Sequence, residues 1–385
     1  MTDNAPESPN LPPLPPPFTP PPVITPPPVP KPRRSRGWMI AAIILTVFLV
    51  FSLFGNLTQL FTSARSFQHG LRSEAFRTVR DASPKLDECL LVNNHSPNKI
   101  AVITVDGIIT SRDVDTQNSM VEIIQAQLDR AADDKRVKAV LLKVDSPGGE
   151  VLASDEIYKA ICDFQATSKK PVVCSMGNLA ASGGYYISSG CRWIVANELT
   201  LTGSIGVIMH GWNYRGLMDK VGIAPVTYKS GKFKDMLSPD RATNDIPVEE
   251  HAMVQSLINE TFEKFKDVVA DGRGAAHDLN KKEGHALATN WEDFADGRVV
   301  SGKQALDLGF VDELGDFTDA IGRTEKLVKI SDANLIEYRE RYDISNFLSM
   351  FGQSGQAHDI KLNLGVDVPR LHAGYLYFLA PTFVN

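Results

Sequence analysis

The sequence predicts an α/β fold, a mainly parallel sheet with crossover helices, preceded by one transmembrane helix. Three observations carry that expectation. Apolar, β-branched runs alternate with stretches of helical periodicity from residue 99 to about residue 190. Two glycine-rich turns, "SPGGE" (146–150) and "ASGGYY" (181–186), fall where strands give way to helices. Ahead of all this, Trp38 to Phe54 runs apolar without a charge. Strand followed by helix followed by strand requires crossover connections, which build parallel sheets covered on both faces.

Taken in order, residues 1–36 are a proline-rich tail. Fifteen of the chain's 24 prolines lie in the first 32 residues, a composition that reads as disordered or polyproline II spacer. Residues 37–60 read as a membrane anchor: no charged side chain occurs between Arg36 and Arg65, and a span needs about 20 mostly apolar residues. A cleavable signal peptide would show an apolar region of roughly 7–15 residues and a small-residue cleavage site; "GNLTQLFTSAR" offers none, so the anchor is expected to remain. Lys31, Arg33, Arg34 and Arg36 precede it, and the excess of basic residues places the tail in the cytoplasm and everything after residue 60 outside.

The formal charge of the chain is −6. Residues 1–37 hold four basic and two acidic groups, which leaves −8 on the remainder and argues against nucleic acid as a partner. The four cysteines, Cys89, Cys162, Cys174 and Cys191, show no metal-type pairing. A single disulfide is open, without an assignment.

Residues 61–97 read as a polar stalk. "KIAVITVDG" from Lys99 is a buried strand, and Val121, Ile124, Leu128 and Ala131 follow at helical spacing. "VKAVLLKV" (137–144) is the next strand; "DSPGGE" then leads into a helix with Ile157, Ile161 and Phe164 on one face. "PVVCSM" is a third strand, ahead of a helix starting near Ser182. "RWIVAN", "GSIGVIM" and "APVTYK" read as further short strands. A long amphipathic helix follows Pro247, a residue suited to a first helical turn. "SGKQALDLGFVDELG" reads as a small helix, a turn and a short strand. Residues 336–385 form a C-terminal extension of unassigned role, with an apolar "YLYFLAP" near its end.

Ligands of parallel α/β sheets collect where strands end and helices begin. A serine at a helix start is by default a cap. Its neighbours here change the weighing: Gly183 offers an unobstructed N–H beside Ser182, and Gly148 or Gly149 offers another from the neighbouring turn. Two such donors about 3 Å from a developing oxyanion make an acyl-transfer site, with the helix dipole adding to the field. Close packing alone also explains glycines in such turns. Phosphate binding is disfavoured by the absence of a P-loop lysine and of G-x-G-x-x-G. A serine nucleophile needs a base. His210 and His251 leave a Ser/His arrangement open, although the G-x-S-x-G elbow is absent. "YKSGKFKDMLSP" (228–239) supplies Lys229, Lys232 and Lys234 in a glycine-containing loop. A lysine serves as a base once it is kept neutral, its ordinary pKa near 10.4 falling toward roughly 7–8.

Together, "DSPGG", "NLAASGGYYISSG", "TLTGSIGVI", "YKSGKFKDMLSP" and "FADGRVVSGKQALDLGFVDELG", in that order over roughly residues 99–330, resemble the signal peptide peptidase A family, also called protease IV, in its short single-domain form. The resemblance implies a ClpP/crotonase-like fold for a serine protease domain at 98–335. It implies Ser182 as the nucleophile, Lys234 as the general base, Ser204 as the group that orients the lysine amine, and Gly149 and Gly183 as oxyanion donors. It further implies a homo-oligomer whose active sites take serine and lysine from adjacent protomers, and no metal or organic cofactor.

The expected function is that of a membrane-anchored serine endopeptidase degrading remnant signal peptides at the outer face of a bacterial cytoplasmic membrane. The alternative is a noncatalytic membrane scaffold that binds hydrophobic peptides or a protein partner. An acyl-CoA enzyme on the related crotonase architecture would require a cytosolic domain, against the expected topology.

Overall fold

A computed structural model of the chain describes residues 45–46, 84–111, 118–280, 283–341 and 376–380. The chain divides into two units, Met1–Val79 and Arg80–Asn385, and the second carries the fold below. The proline tail and the expected anchor lie outside the described residues, Leu45 and Thr46 excepted. Among the described residues no helix is long and apolar enough to cross a membrane.

The elements run β1 (Leu86–Val92), β2 (Lys99–Asp106), α1 (Met120–Asp133), β3 (Val137–Ser146), β4 (Gly148–Glu150), α2 (Val151–Ser168), β5 (Val172–Ala181), α3 (Gly183–Ser189), β6 (Trp193–Ala196), β7 (Leu201–Gly203), α4 (Arg215–Val221), α5 (Val248–Leu279), β8 (Val299–Ser301), α6 (Gly302–Asp307), β9 (Glu313–Leu314), α7 (Phe317–Val328), β10 (Asn334–Glu340) and β11 (Tyr377–Leu379). Nine described strands form one sheet in the order β1-β10-β2-β3-β5-β6-β9, with β7 on β5 and β8 on β7. Every pairing is parallel except β1 with β10 and β7 with β8.

The continuous apolar runs follow from burial on both faces. Alternate residues of β2 divide between two cores. Ala101 and Ile103 join Val140 and Leu142 under α1, α2 and α5, while Ile100 and Val102 join Leu141, Val173 and Trp193 against α7. Helix α1 buries Val121, Ile124, Leu128 and Ala131, the face its spacing predicts, and starts at a capping box between Ser119 and Glu122. Such a cap contributes about 1 kcal/mol.

Three sequence expectations change. The sheet extends beyond both ends of the expected catalytic span, through β1 inside the expected stalk and through β10, most of which falls in the expected extension. "GSIGVIM" is strand only at Gly203; Ile208 makes an isolated bridge to Tyr377. "APVTYK" forms no strand: Val226 and Tyr228 are exposed there, so its alternation of apolar residues has no sheet edge to face.

Candidate active site

Ser182 sits between β5 and α3 with φ 55° and ψ −116°, a backbone state that L-residues occupy at a cost of roughly 1–3 kcal/mol. Its N–H donates to the Gly203 carbonyl (2.8 Å) and its carbonyl accepts from Tyr186 N (2.8 Å). The turn is therefore gripped from both sides: by β7, parallel to the end of β5, and by the first turn of α3. The Ser182 side chain is buried and its Oγ has no hydrogen-bond partner. A buried hydroxyl without a partner is costly, so strain and desolvation coincide at one serine.

The glycines around it are there for close approach. A Cβ on Gly183 would stand 2.6 Å from Ser154 Oγ and 3.1 Å from the Gly149 nitrogen. Gly148, at φ +100°, adopts a backbone that other residues avoid. The two glycine-rich turns are thus in contact, and the Gly149 and Gly183 amides face one small volume beside Ser182. Among the described residues the Gly183 N–H makes no hydrogen bond.

Ser204 follows Gly203, the acceptor for Ser182 N, and so lies beside the serine turn. It too has a positive φ, 51°. Its N–H donates to Arg298 O (2.8 Å) and its hydroxyl to Gly297 O (3.2 Å). It opens onto a cleft of about 460 Å³ whose walls include Ile208, Ile258, Phe262, Asp296 and Leu379. The Arg298 guanidinium, bonded to Asp296, holds that carboxyl down at about 2.

Lys234 is not brought to Ser182 within one chain. It lies exposed in a turn-rich segment, and Ser182 Oγ has no partner. The three lysines of this loop differ. Lys229 pairs with Asp235 (2.8 Å) and Lys232 with Glu249 (3.3 Å), whereas among the described residues the Lys234 amine makes no hydrogen bond or ion pair. Neither histidine meets Ser182: His210 packs edge-on against Trp212 (5.3 Å), and His251 is exposed on α5. All four cysteines are free thiols; burial pushes Cys191 well above the ordinary thiol range.

Two features escape the sequence reading. Tyr185 and Tyr186, which follow the glycines, are core residues: Tyr185 OH donates to Phe310 O (3.1 Å) and Tyr186 OH to Asp155 Oδ1 (2.8 Å). The second is β11, drawn from "YLYFLAP", which pairs with β4 at the candidate oxyanion donors. Its apolar character is visible in sequence, but a pairing across more than 220 positions is not.

This arrangement of an exposed-backbone amide pair beside a strained serine suits acyl transfer. Comparison with known proteins bears on the class. Residues 165–331 match the model of peptidase family S49. A protein of Enterococcus faecium provisionally named signal peptide peptidase SppA is 38% identical over 271 residues, 69% of this chain and 74% of the relative. A provisionally named protease of Synechocystis sp. is 41% identical, over 58% of this chain and 72% of its own length. Protease 4 of Haemophilus influenzae is 35% identical over 60% of this chain and 35% of its own length. The matches cover both glycine-rich turns' half of the sheet and agree with the mainly parallel α/β architecture: the chain belongs to peptidase family S49, with the signal peptide peptidase A and protease 4 proteins, and is a peptidase.

Proposed function

We propose that the chain is a serine endopeptidase working through Ser182 and Lys234, with each active site completed by a second copy of the chain. The observation that carries this is the pairing of an unpartnered, strained Ser182 with an unpaired Lys234 amine that its own chain leaves exposed. Ser182 Oγ attacks the scissile carbonyl while Lys234 Nζ of a neighbouring copy takes its proton. The tetrahedral oxyanion accepts hydrogen bonds from the Gly149 and Gly183 amides. Lys234 then returns the proton to the leaving amine, and water hydrolyses the acyl-enzyme. Ser204 orients the amine, and the cleft beside it gives the lysine room to enter.

The surface around Lys234 supports the second copy. Trp212, Leu217, Val221, Val226, Tyr228 and Val248 are exposed along the segment that bears the lysine, Tyr228 at 94%. Apolar residues gathered in this way mark a surface that another protein covers. Burial there would also desolvate Lys234, which favours the neutral amine a base must offer.

For substrate we propose remnant signal peptides, apolar and extended, cleaved at the outer face of a bacterial cytoplasmic membrane to which residues 37–60 anchor the chain. The name of the Enterococcus relative and the apolar walls of the cleft support this reading. Hydrolysis of an apolar peptide by the full chain tests it. Ser182→Ala should lower the rate at least about 10³-fold and Lys234→Ala about 10²–10⁴-fold. Wild-type turnover in either variant would exclude the pair.

A further inference from the structure

β11 lies inside the candidate site. It runs antiparallel to β4 with Phe378 opposite Gly149. On its other edge Tyr377 exchanges two hydrogen bonds with Ile208, N–H to carbonyl at 3.0 Å and 3.1 Å. The ladder continues at both ends, from Val151 N to Leu376 O (3.3 Å) and from Ala380 N to Pro147 O (2.9 Å). Bonded and non-bonded pairs alternate along an antiparallel ladder. Those two terminal bonds therefore make Gly149 and Phe378 a bonded pair, and the Gly149 N–H points at the Phe378 carbonyl.

The position of that carbonyl is telling. The point where a Gly148 Cβ would stand is 1.9 Å from Phe378 O and 2.6 Å from Gly183 N. A backbone carbonyl of the chain itself thus occupies the volume between the two amides assigned to a substrate's oxyanion. The side chains are held as well. The Phe378 ring stacks on Tyr186 (4.9 Å, 24°) and meets Phe265 (4.6 Å), while Leu379 forms part of the wall of the cleft beside Ser204. Backbone bonds on both edges with side chains in apolar pockets are how a groove takes an extended peptide by strand addition.

We propose that residues 376–380 are an internal occupant of the peptide groove, so that the chain holds its own site closed with an extended Tyr-Phe-Leu segment of the kind the groove accepts. The inference rests on Gly149, Gly183 and Ser182 forming the site described above. Its physical core is exclusion: the Gly149 amide cannot serve a substrate while it is bonded to Phe378. It also specifies the peptides the site takes. They lie antiparallel to β4, with an aromatic residue against Tyr186 and Phe265 and a leucine-sized residue beside Ser204.

The test measures binding apart from catalysis. A fluorescent peptide with the sequence of residues 374–382 is titrated into the full chain carrying Ser182→Ala, with and without Tyr377→Pro plus Leu379→Asp. The proline removes the N–H bonded to Ile208, and the aspartate places a carboxylate in an apolar wall. The peptide should bind at least tenfold more tightly once the strand is disrupted, and with Ser182 intact kcat/KM on an apolar peptide should rise by a similar factor. Equal affinities would overturn the proposal. A second measurement needs no change to the tail: in the Ser182→Ala chain, excess unlabelled peptide should speed hydrogen exchange at the Tyr377 and Ala380 amides at least tenfold, and unchanged exchange would likewise overturn it. Should the Ser/Lys reading be the one in error, hydrolysis would be absent in every variant while the peptide still displaced the strand.

Discussion

The Ser182 amide donates to the Gly203 carbonyl at 2.8 Å, and this bond ties the strained serine turn to the segment that carries Ser204. Ser204 is itself at positive φ. Two non-glycine residues in unfavourable backbone states therefore stand side by side, each held by hydrogen bonds from a neighbouring strand or loop. Strain of this kind persists where the surrounding structure over-determines it, and it gathers at functional sites.

If that strain is kept for chemistry, removing it should stabilise the fold. Ser182→Gly relieves roughly 1–3 kcal/mol of backbone strain against about 0.5–1 kcal/mol of added chain entropy. A net gain of about 1 kcal/mol is expected, read by denaturant unfolding, together with loss of peptide hydrolysis. A less stable Ser182→Gly protein would show that the turn is not strained.

Gly183→Ala should fail for a different reason. Its Cβ would stand 2.6 Å from Ser154 Oγ, an overlap worth about 1–3 kcal/mol, and the displaced amide should lower kcat more than it raises KM. Adding Ser154→Ala removes the clashing oxygen. The double variant should regain most of the stability, a coupling that a thermal melt of all four proteins measures.

Arg273 on α5 pairs with Asp312 at 2.5 Å, both side chains fully buried. Asp312 also accepts from Ile194 N (2.8 Å), and Arg273 Nε donates to Gly309 O (3.3 Å). The pair thus locks the long helix onto the loop ahead of β9. Arg273→Met leaves a buried carboxylate unpaired and should cost about 3–5 kcal/mol. Because the helix also lines the cleft, activity should fall as the fold loosens rather than through a change in pH profile.

Asp296 gives a pH prediction. Its hydrogen bonds to Arg298 hold the carboxyl at about 2, below its ordinary 3.8. A depressed carboxylate contributes stability that is fully present above the unfolded value and is lost as pH falls through the folded one. The Gly297 loop that receives the Ser204 hydroxyl should therefore stay intact at pH 4 and loosen between about pH 4 and pH 2. The Asp296 carboxyl signal in an NMR titration should have its midpoint near 2 and move up toward 3.8 in Arg298→Ala. An unmoved midpoint would assign the shift to another cause.

Much of this was legible in the sequence because the signals were local. The β-branched runs of β2, β3 and β5 and the helical spacing of α1 each specify their own element, and the serine at a strand-to-helix turn between glycines marks the site. What local pattern could not supply was pairing over distance. β1 joins β10 across some 250 positions, and β11 reaches β4 from the far end of the chain. "APVTYK" misled because apolar alternation describes a half-buried surface whether a sheet or another protein covers it. Lys234 stands out from Lys229 and Lys232 only once their carboxylate partners are known.

The central claim is that serine and lysine come from different copies of the chain, and mixing tests it most directly. Purified Ser182→Ala and Lys234→Ala proteins, each inactive alone, are dissociated, combined and reassembled, and peptide hydrolysis is then measured. Mixed assemblies contain some interfaces that join an intact Ser182 to an intact Lys234, so the mixture should recover a substantial fraction of wild-type activity. A mixture as inactive as its two components, in assemblies shown to have exchanged subunits, would contradict the account.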